Sequence, residues 1–173
     1  MKYSGRDLLL GGLFLALALV LPFFFHAVGL GSVFLPMFYP IIIAGFLVAF
    51  PVAVVVGFIS PLTSSLLTGM PPLFPPIAFI MMAEGVVLAG IPALLYQKSK
   101  IKVLPTLIIT IFAERLVLLA AVVLSAKWLD LPEGVLGLAS LLRGLPGIII
   151  IFIIIPPLIK KLERKMRTMA IME

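Results

Sequence analysis

Charge is what this chain has least of. Only 12% of its 173 residues are charged, whereas a soluble domain carries roughly 25%. The stretch 27–97 contains a single charged side chain, Glu84. No soluble protein of this size can bury so much apolar sequence, so we predict that the chain lies in a lipid bilayer as one membrane domain, 1–173, with no soluble catalytic domain.

Missing residue types also exclude several chemistries. The chain has no cysteine and one histidine, His26, which excludes disulfides, thiolate metal sites and histidine clusters. It contains no phosphate-binding P-loop, nucleophile elbow or paired-carboxylate motif. We therefore expect no catalytic residue, no metal and no cofactor of its own. The chain is predicted not to be an enzyme and not to bind nucleic acid.

Basic residues predict the topology. Lysine and arginine cluster at the N-terminus, in the segment 98–102 and in the tail 160–167, and such clusters favour the cytoplasmic side. Because His26 then lies outside, an odd number of spans must connect it to Lys98, and only three can accommodate the apolar residues between them. The prediction is an all-α bundle of six transmembrane helices with both termini in the cytoplasm.

Proline and glycine place the breaks between these spans. The second span contains Pro36 and Pro40, so we expect it to be short or partly unwound. The predicted spans are about 8–25, 36–50, 52–67, 77–97, 103–126 and 141–159.

Four ionisable groups remain within or at the edge of the spans. Glu84 costs about 2.5–3.5 kcal/mol to insert if it is central and charged, and it is either a structural group or a ligand or proton site. Glu114 and Arg115 project about 100° apart on a helix, so we expect one to face a cavity and the other to meet another helix; structural pairing of Arg115 with either glutamate is the alternative. Arg143 either extends to lipid headgroups or joins the site. Together they predict one polar site open to the outside.

Other candidates are less specific. The hydroxyls of Ser64 and Ser65 either satisfy the backbone or line a pocket. The small residues Gly12 and Ala16 form a strip that serves either packing within the bundle or docking of another subunit.

Several motifs together resemble a known family. They are Leu35-Pro36-Met37-Phe38-Tyr39-Pro40, the segment from Ser60 to Pro75, Met82-Ala83-Glu84, Ala113-Glu114-Arg115 and Leu145-Pro146-Gly147. The chain is similar over its whole length to the S components of energy-coupling factor (ECF) vitamin transporters, most closely to the pantothenate- and niacin-type branch. Phe38 and Tyr39 replace a common His-Ile, and Glu114 replaces a glycine, so the ligand is not transferable from relatives.

This resemblance implies a function. S components capture a vitamin or related small molecule near the outer face, close it in with the loop joining the first two helices, and dock on a membrane coupling subunit carried by two ATPase subunits, which use ATP. Gly12 and Ala16 match the docking motif. The resemblance also implies residence in the cytoplasmic membrane of a prokaryote.

These observations lead to specific expectations for the site. Arg115 is expected to hold a ligand carboxylate, Glu84 to accept a hydrogen bond from the ligand, and Arg143 and Tyr39 to complete the rim. The segment 26–35 is the candidate lid. Phe38, Ser64, Ser65 and Glu114 are the remaining candidates.

Two alternatives to an S component remain. A self-sufficient secondary transporter would use Glu84 and Glu114 to carry protons. A structural subunit of a membrane complex would have no ligand-sized cavity.

Overall fold

The structure, a computed structural model, describes residues 3–74, 76–129 and 142–172, and all of the regular elements in that part of the chain are helical. Five of these helices are long and apolar enough to cross a membrane, and the segment Gly31–Leu47 is a shorter apolar one. This confirms the all-α, multi-pass architecture. Together with the short segment, the described part of the chain contains six apolar helical segments.

Up to Leu129 the helices follow one another with short connections. Their bounds are α1 Gly5–Ala27, α2 Gly31–Phe34, α3 Phe38–Leu47, α4 Phe50–Thr68, α5 Ile77–Pro92 with a π-helical extension Ala93–Lys98, α6 Val103–Leu129 and α7 Leu145–Met172.

The second span is short, as the sequence predicts. Its main part, α3, has ten residues, and α2 before it has four. The two are separated at Leu35, whose φ of 50° is left-handed, and at Pro36, which disfavours a helical conformation in the residue before it. Although α3 is short, most of its residues are buried, so it forms the centre of the bundle.

Helices α4 and α5 make the closest approach in the bundle. A Cβ atom on Gly57 would overlap the carbonyl oxygen of Gly85, and a Cβ atom on Gly85 would overlap the carbonyl oxygen of Gly57. Only glycine permits two backbones to come this close. Glu84 is next to this contact in sequence, so the packing of the two glycines also fixes the rotation of α5 that orients Glu84.

The start of α1 and the C-terminal part of α7 lie at one end of the bundle. Near the start of α1, Arg6 lies against Met166 of α7, and the lysines of the segment 98–102 follow the extension of α5. We call this the basic end. The opposite end is formed by α2, by the residues between α4 and α5, and by the start of α7, and we call it the cavity end.

Helix α7 continues well beyond the predicted span. It runs to Met172 rather than ending near residue 159, because the basic tail is rich in lysine, arginine and glutamate, which favour helix, and contains no glycine or proline. The predicted start of this span, Leu141, lies outside the described residues.

Candidate ligand-binding cavity

A cavity of about 280 Å³ lies at the cavity end of the bundle. The end of α1, the α2 region, the residues after α4, the first half of α5, the middle of α6 and the start of α7 all contribute to it. Its lining residues are Pro22, His26, Gly31, Ser32, Leu35, Pro36, Met37, Phe38, Ser64, Met70, Pro71, Pro72, Ile77, Ile80, Met81, Glu84, Arg115, Leu118, Arg143 and Gly144.

Most of the cavity wall is apolar, and three charged side chains interrupt it: Glu84, Arg115 and Arg143. The sequence predicts that these groups share one site, and the structure places them around one cavity although they come from three separate parts of the chain. An apolar pocket with a few placed polar groups is the usual form of a small-molecule site.

Glu84 forms the floor of the cavity. It lies seven residues after the start of α5, or about 10 Å along the helix at 1.5 Å per residue. Its side chain is 3% exposed. Its Oε1 atom has no hydrogen-bond partner in the part of the chain that the structure describes. Because buried carboxylate oxygens are normally hydrogen-bonded, this oxygen marks a position where a partner from outside the chain fits.

Glu114 and Arg115 bind each other. The Arg115 guanidinium donates from Nε to Oε2 and from an Nη to Oε1 of Glu114, both at 2.6 Å. Glu114 is fully buried, whereas Arg115 is 20% exposed and lines the cavity. Arg115 therefore faces the cavity, as one of the two was expected to, and Glu114 meets α5 at Glu84. The alternative, pairing of Arg115 with a glutamate, also occurs, because the long arginine side chain folds back along its own helix to Glu114.

The two glutamates also meet across the α5–α6 interface. The carboxyl group of Glu84 lies beside that of Glu114. Glu114 thus connects Arg115 to Glu84.

Arg143 lies at the mouth of the cavity, just before α7. Its side chain is exposed and lines the opening. It makes no ion pair or hydrogen bond to any residue within 3–74, 76–129 or 142–172. The exposed guanidinium lies at the mouth, where lipid headgroups and a solute both have access to it.

The remaining candidates divide into two groups. Phe38 and Ser64 line the cavity, and the Ser64 hydroxyl donates to the carbonyl of Met70 at 2.7 Å. Tyr39 and Ser65 do not line it. The Tyr39 hydroxyl instead donates to the carbonyl of Gly147 at 3.3 Å, because Tyr39 is one residue further round α3 than Phe38 and is directed toward α7.

His26 is a cavity residue that the sequence does not identify. Its position at the end of the first span is typical of an interfacial side chain, yet it lines the cavity. Its imidazole occupies the space where a side chain at Gly31 would lie. The glycine five residues later in the sequence is the only signal of this contact.

The candidate lid is packed on the start of α7. A Cβ atom at Gly144 would lie 3.0 Å from Cδ1 of Leu35, and one at Gly147 would lie 2.7 Å from the carbonyl oxygen of Phe34. The two glycines thus let α2 lie directly on α7. This contact holds the segment 26–35 over one side of the cavity.

The small-residue strip on α1 faces outward. Gly12 and Ala16 are exposed, and a Cβ atom at Gly12 would meet nothing within 4 Å. Packing inside the bundle uses the neighbouring Gly11, which lies against Val52 of α4. The sequence predicts that this strip serves either packing within the bundle or docking of another subunit. In the described part of the chain, Gly12 and Ala16 are not used for packing within the bundle.

No protein-family model, curated protein or solved structure matches this chain.

Proposed function

We propose that this protein is the substrate-binding subunit of an ECF-type transporter, which captures a small water-soluble metabolite of the vitamin type at the outer face of a prokaryotic membrane. The observation that carries the proposal is the cavity itself, a mainly apolar chamber with the buried Glu84 at its floor and Arg143 at its mouth. Motifs that resemble S components supply ten of its lining positions, among them Pro36, Phe38, Glu84 and Arg115.

Charge supports the orientation. The basic end carries the lysines of the segment 98–102 and of the tail of α7, and the positive-inside rule places that end in the cytoplasm. The cavity then opens to the outside, where a solute is captured.

The exposed strip of α1 supports dependence on other subunits. Gly12 and Ala16 present a smooth surface on the first helix, and close helix contacts in membranes use such surfaces. The proposed partners are a membrane coupling subunit and two ATPase subunits, which supply ATP hydrolysis. In co-purification with such a module, Ala16→Leu should reduce complex formation, whereas Leu9→Ala, at another exposed position of α1, should not.

Ligand capture is tested by mass spectrometry of small molecules released from the protein after purification in detergent. Met81 lines the cavity, and Phe79 on the same helix is exposed on the outside of the bundle. Met81→Trp fills the cavity and should abolish the released molecule, whereas Phe79→Trp should leave it unchanged. Equal release from both variants would contradict the proposal.

The contact between Glu84 and Glu114 favours a second candidate, a proton-coupled secondary transporter. Neighbouring carboxyl groups embedded in a membrane are a common element of proton relays. Counterflow measured in liposomes that contain this protein alone separates the candidates. Exchange without other subunits would establish the secondary transporter, whereas strict dependence on ATPase subunits would support the ECF-type function.

A purely structural subunit is the third possibility, and the cavity argues against it. Such a subunit needs no ligand-sized chamber, and it gains nothing from a buried carboxyl oxygen without a partner.

A further inference from the structure

We propose that the ligand is a compact organic acid that also carries an N–H or O–H donor, bound with the donor against Glu84 and the acid group at Arg143. This inference rests on the proposed function and names the class of molecule that the same cavity takes. Three observations carry it: a carboxyl oxygen at the floor and a guanidinium at the mouth, neither of which has a partner among the described residues, and the apolar wall of the cavity.

The floor of the cavity requires a hydrogen-bond donor on the ligand. Glu84 lines the cavity with its side chain 97% buried, and its Oε1 has no hydrogen bond to any described residue. Roughly 90% or more of buried polar groups in proteins have a partner. The neighbouring Glu114 is a carboxyl group that already accepts two hydrogen bonds from Arg115. An amine, amide or hydroxyl of the ligand supplies the missing donor.

The mouth of the cavity favours an anionic group on the ligand. Arg115 is the expected holder of a ligand carboxylate, but the two-pronged face of its guanidinium already binds Glu114. Arg143 lines the same cavity without an ion pair to a described residue. A guanidinium binds a carboxylate through two parallel hydrogen bonds, so the acid group of the ligand fits Arg143. The charge of Arg115 is balanced within the chain.

The walls limit the body of the ligand. The apolar lining residues include Ile77, Ile80, Met81, Leu118 and Leu35, which favour an apolar carbon framework. The volume of about 280 Å³ lies just below the range of about 300–1,000 Å³ of small-molecule sites. A compact molecule with its two polar groups at opposite ends fits this cavity.

The class is tested by thermal unfolding of the purified protein with a panel of compounds in three groups. The first contains amino, hydroxy and amido acids, the second contains acids without a further donor, and the third contains amines and alcohols without an acid. The strongest stabilisation should come from the first group. Stronger stabilisation by either other group, or none by the first, would overturn the inference.

The two ends of the ligand are tested separately with variants and with the best compound of the first group. Arg143→Gln should weaken its binding about tenfold or more, whereas Arg143→Gln and the unchanged protein should bind its methyl ester equally. Arg164→Gln, an exposed arginine at the basic end, is the matched control. An equal loss for the acid and its ester would show that Arg143 does not bind the acid group.

The donor is tested at Glu84 in the same way. Glu84→Met removes the acceptor, so it should weaken the donor-bearing acid about tenfold or more and leave the affinity for its analogue with a methyl group in place of the donor unchanged. Glu84→Gln keeps an acceptor oxygen and is the matched control. Equal losses for both compounds would contradict the assignment of the donor to Glu84.

Failure of the inference and failure of the proposed function give different results. If a compound of the second or third group binds, and Met81→Trp abolishes that binding, the cavity is a ligand site and only the ligand class is wrong. If no compound binds and no small molecule is released from the purified protein, the proposed function fails together with the inference.

Discussion

Glu84 and Gln97 belong to the same stretch of helix but lie toward opposite ends of the bundle, and their surroundings differ. The amide nitrogen of Gln97 donates to the carbonyls of Gly45 and Val48, both at 2.7 Å. Glu84 leaves Oε1 without a partner among the described residues. At the basic end polar side chains complete the fold, whereas at the cavity end one is left for a molecule from outside the chain.

The helix ends show the same difference. The break between α3 and α4 is closed from α1, where Asp7 Oδ1 accepts from the backbone N–H of Ala49 at 3.0 Å and Asp7 Oδ2 accepts from Ser4 at 2.8 Å. At the cavity end, irregular residues and prolines surround an empty volume instead. The two ends therefore predict different responses to mutation.

The largest loss of stability is expected for Glu114→Ala. It removes both hydrogen bonds from Arg115 and leaves a largely buried guanidinium without its carboxylate, which typically costs about 3–5 kcal/mol. The free energy of unfolding in mixed micelles measures it. A loss below about 1 kcal/mol would mean that this ion pair does not hold the cavity end together.

Gln97→Ala is expected to have the next largest effect. The substitution leaves the carbonyl oxygens of Gly45 and Val48 without their donor. A buried oxygen without a donor costs about 1–3 kcal/mol of stability, and we expect a total loss of about 2–4 kcal/mol. Lys98→Ala changes the adjacent exposed residue and serves as the control. Equal stability of the two variants would remove the contrast between Gln97 and Glu84.

Asp7→Ala should destabilise the protein by about 1–2 kcal/mol, because it removes both the cap of α1 and the acceptor for Ala49. Asp7→Asn keeps one side-chain oxygen and should lose less. Thermal unfolding of the two variants beside Leu8→Ala, an exposed neighbour, gives the comparison. If Asp7→Asn and Asp7→Ala lose the same amount, the oxygen that faces Ala49 contributes nothing.

Glu84→Gln should change stability least, by no more than about 0.5 kcal/mol in either direction. The amide can donate to Glu114, which preserves their contact, and no hydrogen bond at Oε1 is lost because none is present. The same mixed-micelle unfolding measures it. A loss comparable to that of Glu114→Ala would identify Glu84 as a structural group and would end the distinction between the two glutamates.

Much of the architecture could be predicted from composition and order. The near absence of charge between His26 and Lys98 predicts membrane helices, and Pro36 and Pro40 predict the short second span. The end of α7 could not be placed in the same way, because hydropathy reports where a helix leaves the apolar layer and not where the helix ends.

The candidate site could be predicted only as a set of residue types. The free-energy cost of inserting a charged group into a membrane identifies Glu84, Glu114 and Arg115 as candidates, because such groups are rare in membrane segments and are usually functional or paired. Tyr39, predicted at the rim, instead binds the backbone at Gly147, and His26, predicted only as the first residue of the lid, lines the cavity. The position of His26 has one local signal, Gly31, and that of Tyr39 has none.

The amino-acid sequence by itself determined that this protein is a helical membrane bundle with a few buried ionisable groups, because hydropathy and charge are properties of each segment alone. Only the tertiary structure decided that Arg115 holds Glu114, that Glu84 keeps an oxygen free of described partners and that Arg143 lies at the mouth of the same cavity. These pairings depend on how each helix is rotated against its neighbours, and contacts such as that of Gly57 with Gly85 set this rotation between residues far apart in the chain.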